Sequence, residues 1–343
     1  MADITKTEET NMMKDTIQKR CELLVENRNI IHEGFKLENS LLKAVAGAAF
    51  AEKEKKVDVE YLKECRKILR DKQGALSYFR GNNELIVSTR MALSSDPEKY
   101  IDELVEVYNK FQKGKFFGST YRVLAAMSIC DVGKFSEADA IIEKTNAIMT
   151  GMKKNHPFIT SDEDTSFAVL LAMTEKGVEE ILTELEDAYQ YIKKSFSLHE
   201  NAAYSLTQVL TVYDGNYEDK RDKVLEIYNA FKAAGLKYGK EHELASLGTL
   251  ININRSAEEL VSEIAEAAEF FNGKKGFGML DMSRQTKLML GAMVISSVYS
   301  EENSVTDASV TSGALSMIIA EQTAMLVAIM IASTSAATAS SSH

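Results

Sequence analysis

Residues 223–231 read K-V-L-E-I-Y-N-A-F, with Val224, Ile227, Tyr228 and Phe231 at the three- and four-residue steps of one buried helix face. The same frame returns as E-L-V-E-V-Y-N-K-F at 103–111 and as E-L-E-D-A-Y-Q-Y-I at 184–192. It fits more loosely over I-I-E-K-T-N-A-I (141–148) and I-A-E-A-A-E-F-F (264–271). Tyr108, Thr145, Tyr189, Tyr228 and Ala268 then share one register position, at steps of 37, 44, 39 and 40 residues. A period of about 40 residues is that of stacked helix pairs. At helical spacing on an apolar face, the tyrosines read as core rather than as a ligand-stacking ladder.

The partner of each striped helix is apolar on nearly every side, as a helix buried between helices must be. Examples are I-V-S-T-R-M-A-L (86–93), Y-R-V-L-A-A-M-S-I (121–129), F-A-V-L-L-A-M (167–173), L-T-Q-V-L-T-V (206–212) and L-M-L-G-A-M-V-I (288–295). Turn chemistry separates the units. Asp96-Pro97 places a capping acid before a helix-opening proline, and Ser136-x-x-Asp139 and Ser256-x-x-Glu259 have capping-box spacing. The expected fold class is all-α: irregular helical-hairpin repeats in a solenoid-like array over 81–300. Residues 1–80 lack the frame and are expected to form an N-terminal helical cap with helices near 8–34, 37–55 and 58–73. Residues 301–343 are expected to hold an apolar helix and a disordered Ala/Ser/Thr tail.

Composition agrees. The chain has 343 residues but only two prolines, so long helices go uninterrupted. Its net charge of -11 and the lack of a basic stripe argue against nucleic acid. The pairs Lys153-Lys154, Lys193-Lys194 and Lys274-Lys275 fall near helix ends, where they answer the helix dipole. Cys21, Cys65 and Cys130 are dispersed, which suits a reducing cytoplasm, and no cofactor motif is present. G-K-K-G-F-G (273–278) follows a helix rather than a strand and reads as a helix stop. The stretch Ala314 to Ala332 is long enough to span a membrane, but Glu321 and Gln322 lie near its middle. Burial on the body, or self-association through this helix, is expected instead of a span.

One stretch concentrates rare residue types: M-K-K-N-H-P-F-I-T-S-D-E-D at 152–164. Pro157 stops the preceding helix, and Ser161-x-x-Asp164 or Thr160-x-x-Glu163 starts the next. His156 can cap the outgoing carbonyls. Neither His156 nor Phe158 is required by a cap, so His156, Phe158, Asp162 and Asp164 are the candidate ligand-binding residues. His156, His199 and His242 are spaced 43 residues apart, but stacked helices hold such side chains too far apart to share one metal ion, and no metal site is expected.

These stretches, with N-N-E-L-I-V-S-T-R-M-A-L-S-S-D-P-E, K-F-F-G-S-T-Y-R-V-L-A-A-M-S-I and G-F-G-M-L-D-M-S-R-Q-T-K-L-M, resemble the bacterial domain-of-unknown-function family 4003, over most of residues 15–300. The block His156-Pro-Phe-Ile-Thr-Ser161 carries the resemblance best. H-E-N-A-A-Y-S-L-T-Q-V-L (199–210) departs from the glutamine- and histidine-containing pattern of that region. The resemblance implies a cytosolic bacterial protein and no particular activity. The expected function is therefore a non-catalytic helical-repeat protein that binds a protein or peptide on its concave face. The alternative is an enzyme or small-ligand or metal-binding protein with a polar pocket at His156, Asp162 and Asp164.

Overall fold

The computed structural model describes residues 13–306, and among them the regular structure is entirely helical. The N-terminal helices are α1 (Asp15–Gly34), α2 (Ser40–Glu52) and α3 (Val59–Lys72). There follow α4 (Asn82–Leu93), α5 (Pro97–Gln112), α6 (Thr120–Asp131), α7 (Ala138–Asn155), α8 (Thr165–Ala172) and α9 (Val178–Ile192). The last are α10 (Glu200–Val212), α11 (Tyr217–Ala233), α12 (Ala257–Phe270) and α13 (Arg284–Thr306), with a 3-10 segment at Leu244–Leu250 between α11 and α12.

The striped register proves to be the packing register. Tyr108, Tyr189 and Tyr228 are buried, and so are the residues three positions on: Phe111, Ile192, Phe231, with Ile148 and Phe271 in the looser copies. Their partners are buried on every side along their middle turns. All eight residues of α8 are buried, as are Asn83–Thr89 of α4 and Val123–Ile129 of α6. Striped helices therefore form an outer layer and apolar ones an inner layer.

The array does not stay open. The inner elements α2, α4, α6, α8, α10, Leu244–Leu250 and α13 each pack on the next, and α13 packs back on α2. The outer helices α1, α3, α5, α7, α9, α11 and α12 do likewise, and α12 returns to α1. Seven pairs thus close a double ring. Helices α1–α3 take part in the same circuit, and α3 pairs with α4 across residue 80.

The closing seam is polar. Lys14 Nζ lies 2.9 Å from Glu263 and bonds to Tyr299, Arg20 Nη1 donates to Ser297 Oγ (3.3 Å), and Ser40 Oγ donates to Asp281 (3.0 Å).

Local signals behave as their chemistry demands. Asp96 accepts from Lys99 N with Pro97 at the first helical position, and Ser256 with Glu259 forms a reciprocal capping box. Ser136 does not cap: Phe135–Glu137 is a 3-10 turn, and α7 starts at Ala138 without a side-chain cap. The first expected helix begins at Asp15 rather than residue 8, and residues 8–12 lie outside the described ones. So do Ala314–Ala332 and the tail. Among the described residues no helix is long and apolar enough to cross a membrane.

Because successive helices are antiparallel, the connections sort into two sets. Those from outer to inner helices (35–39, 73–81, 113–119, 156–164, 193–199, 234–243 and 271–283) gather at one end of the ring. The return connections (53–58, 94–96, 132–137, 173–177, 213–216 and 251–256) gather at the other.

Candidate functional site: the loop end of the ring

His156 closes α7 through its backbone, its N–H donating to Met152 O at 2.8 Å. Its ring turns inward, not toward the outgoing carbonyls. Nε2 lies 2.6 Å from Glu186 Oε2, and the imidazole stands edge-on to Tyr189 and Tyr204 at 4.9 and 5.0 Å. These two rings pack edge-on in turn, at 5.1 Å. His156 thereby ties the α7–α8 connection to α9 and α10, which is a packing role.

The two candidate acids are also engaged. Asp162 takes Arg122 Nη2 at 2.7 Å, while Glu163 takes the Tyr121 hydroxyl at 3.0 Å, so the start of α6 is fastened to the start of α8. Asp164 is buried in a capping box with Ser161, whose N–H it accepts at 2.7 Å, and accepts from Gln208 Nε2 at 2.6 Å. Burial pushes its carboxyl up to about 6, against the pull of the Ser161 and Gln208 hydrogen bonds. The Gln208 Oε1 atom is buried without a hydrogen-bond partner.

A raised carboxylate pKa favours the folded state while the group is protonated. Asp164 therefore contributes stability below its ordinary range near 3.8, and that contribution is lost as pH rises through about 6. Replacement by Asn, which carries no charge, is expected to remove this loss, on the order of 2 kcal/mol. Urea unfolding at pH 4.5 and pH 7.5 checks it. A parallel pH response in wild type and Asp164→Asn would refute the assignment.

The three histidines each take a different carboxylate: His156 takes Glu186, His199 takes Glu241 (2.6 Å), and His242 lies 3.3 Å from Glu243. Among the described residues no cluster of three or more metal-ligating side chains forms. Cys21 and Cys65 are buried and their thiols are pushed up by burial, to about 12 and about 11, which leaves them poor nucleophiles.

Phe158 is different. Its turn is firmly built: Lys153 Nζ donates to the carbonyls of Pro157 (2.5 Å) and Thr160 (2.7 Å), and Thr160 N–H closes on His156 O (3.0 Å). Yet the phenyl ring projects into solvent. It shares this with one large apolar residue, or two, in most of the other connections at the same end. Leu37, Leu76, Phe116 with Phe117, Leu198, and Met279 with Leu280 range in exposure from 81 % (Phe117) to 104 % (Leu280). Among the described residues, no return connection exposes a large apolar side chain.

The tips stand beside buried anchors. Phe35, Phe79, Phe196 and Phe277 are buried next to Leu37, Leu76, Leu198 and Met279, and Phe277 stacks on Phe271 at 5.0 Å. In the third connection Phe117 O accepts from Arg122 Nη1 (2.8 Å) and Gln112 Nε2 (3.1 Å), while Gly114 (φ 79°) turns the chain. Loop backbones are thus held while their apolar tips have nothing to pack on. Sequence reasoning found Phe158 but missed the other tips. The signal was present: each lies outside the helices, in a connection with no helical period to bury it.

The class is therefore an all-α protein of consecutive helix pairs, closed into a double ring that displays apolar tips at one end. Residues 28–324 match the family model described as "Protein of unknown function (DUF4003)", and the chain belongs to that family. Neither the curated proteins nor the solved structures contain a match to it.

Proposed function

We propose that this chain is a non-catalytic docking protein whose binding surface is the loop end of the ring. The observation that carries the reading is the set of solvent-exposed apolar tips on six of the seven outer-to-inner connections. Exposed apolar residues concentrated on one face mark a contact surface, whereas scattered ones do not. The concave groove of an open repeat array is not the surface proposed, because the inner helices are buried by the chain's own neighbours. The polar alternative at His156, Asp162 and Asp164 gains no support from geometry, since each side chain is taken up by Glu186, Arg122 or Gln208.

A photo-crosslinking residue placed at Phe158, and separately at Asp214 on the opposite end, tests this in cells of the native host. Adducts are expected from position 158 only, and they should vanish when Phe116→Ser and Phe117→Ser are added. Equal labelling from both ends, or none from 158, would sink the docking reading.

A further inference from the structure

We infer that the partner at this end is the surface of an anionic lipid bilayer, a reading that rests on the docking role proposed above. Three features select lipid. First, Leu37, Leu76, Phe116, Phe158, Leu198 and Leu280 come from six separate connections around the ring. They form no groove for a helix and no edge for a strand. A set of spaced tips suits shallow insertion at a headgroup boundary, where each gains by burial independently.

Second, the charge around the tips is basic in an acidic protein. The seven outer-to-inner connections hold ten Lys and Arg against seven Asp and Glu, whereas the six return connections hold six of each. The seven acids are already engaged: Glu38 with Arg66 (2.8 Å), Asp162 with Arg122 (2.7 Å), Glu163 with the Tyr121 hydroxyl (3.0 Å), Asp164 buried against Gln208 (2.6 Å), Asp281 with Ser40 (3.0 Å), Glu241 with His199 (2.6 Å), and Glu243 buried beside His242. Lys36, Lys113, Lys115, Lys237, Lys240 and Lys275 are exposed and form no ion pair among the described residues. Lysines next to apolar tips are what an anionic surface attracts.

Third, the net charge of -11 does not forbid contact. Charges more than about 8 Å away are screened at physiological salt. The 23-residue α13 runs from the tips to the far end of the ring, about 34 Å. A membrane touching the tips therefore feels the local lysines, not the distant acids. Such docking is peripheral and needs no spanning helix.

Flotation of the full-length chain with phosphatidylcholine vesicles, with and without phosphatidylglycerol, tests the inference. Binding is expected only with the anionic lipid and is expected to be released by high salt. Phe116→Ser/Phe117→Ser should weaken it about tenfold or more. Lys113→Glu/Lys115→Glu should do the same, while Lys55→Glu/Lys56→Glu at the other end should not. All six side chains are exposed, so each variant should melt like the wild type. No flotation, or flotation indifferent to the tip variants, overturns the lipid assignment. If position 158 still crosslinks to a protein in cells, the docking reading survives that loss. A dimer in vesicle-free solution that Phe116→Ser/Phe117→Ser dissociates would make a second copy the occupant and also overturn it.

Discussion

Glu84→Ala is expected to destabilise the protein by about 3–5 kcal/mol, because it leaves a partly buried cluster of guanidinium groups without its counter-charge. Glu84 is buried in the first turn of α4 and gathers three arginines. Arg66 Nε donates at 2.7 Å, Arg70 donates from Nε at 2.8 Å and from Nη2 at 2.9 Å, and Arg80 Nε lies 2.5 Å away. Arg66 also reaches Glu38 at 2.8 Å, which carries the network to the first connection. Burial opposes ionisation of Glu84, but the hydrogen bonds from Arg70 and Arg66 outweigh it and hold the carboxyl at about 2.

The sign follows from that depression. The stabilisation is complete above the ordinary carboxyl range, near 4.5, and is lost as pH falls through about 2. Its size is on the order of 3 kcal/mol. Denaturant unfolding at pH 7 and pH 3 should show wild type losing much of this amount while Glu84→Gln, already lacking the charge, loses little. Equal losses in both proteins would show that other carboxylates govern acid stability.

Gly47→Val is expected to cost about 3 kcal/mol or more, and to loosen an element far away in sequence. A Cβ at Gly47 would stand 2.8 Å from Arg28 N and 3.0 Å from Leu24 O, both backbone atoms of α1. No side-chain rotation relieves that contact, so α1 and α2 must separate. In an open array the damage would stay in the first pair. In a closed ring α1 also meets the last pair: Lys14 at its N-terminus reaches Glu263 of α12, Arg20 reaches Ser297 of α13, and Arg28 lies over Phe277 in the connection between them. Amide exchange should therefore lose protection in 284–300 as well as in 15–52, while α8 and α10 on the opposite side keep theirs. Loss confined to residues before 93 would contradict closure.

The site was legible only in part. The block at 156–164 could be read as a helix stop and a doubly specified helix start, and Ser161 with Asp164 forms that capping box. Which residues there are free for a partner could not be read. His156 is spent on Glu186, Tyr189 and Tyr204, and those partners come from the next helix pair. Phe158 was singled out because no cap needs it, and it remains unpacked in the fold. The 3-10 segment Leu244–Leu250 escaped notice as an inner element because L-A-S-L-G-T-L is too short and too rich in Gly, Ser and Thr for a periodic signal. It still occupies the slot between α10 and α13.

The sequence by itself determined the all-helical class, the striped register and the alternation of striped with all-round apolar helices. These follow from local periodicity and from which faces water rejects, and nearby residues carry that information. Closure into a ring was decided only in tertiary structure. It depends on pairs such as Lys14 with Glu263 and Arg20 with Ser297, polar contacts between residues hundreds of positions apart that leave no period. The same polar seam explains why α1 lacks the repeat frame. Its buried face must hold Arg20 and Arg28 as well as Ile17, Leu24 and Ile31, because it meets the last pair as well as its own partner. Closure also gathers seven unrelated connections at one end, and so makes isolated apolar residues into a surface.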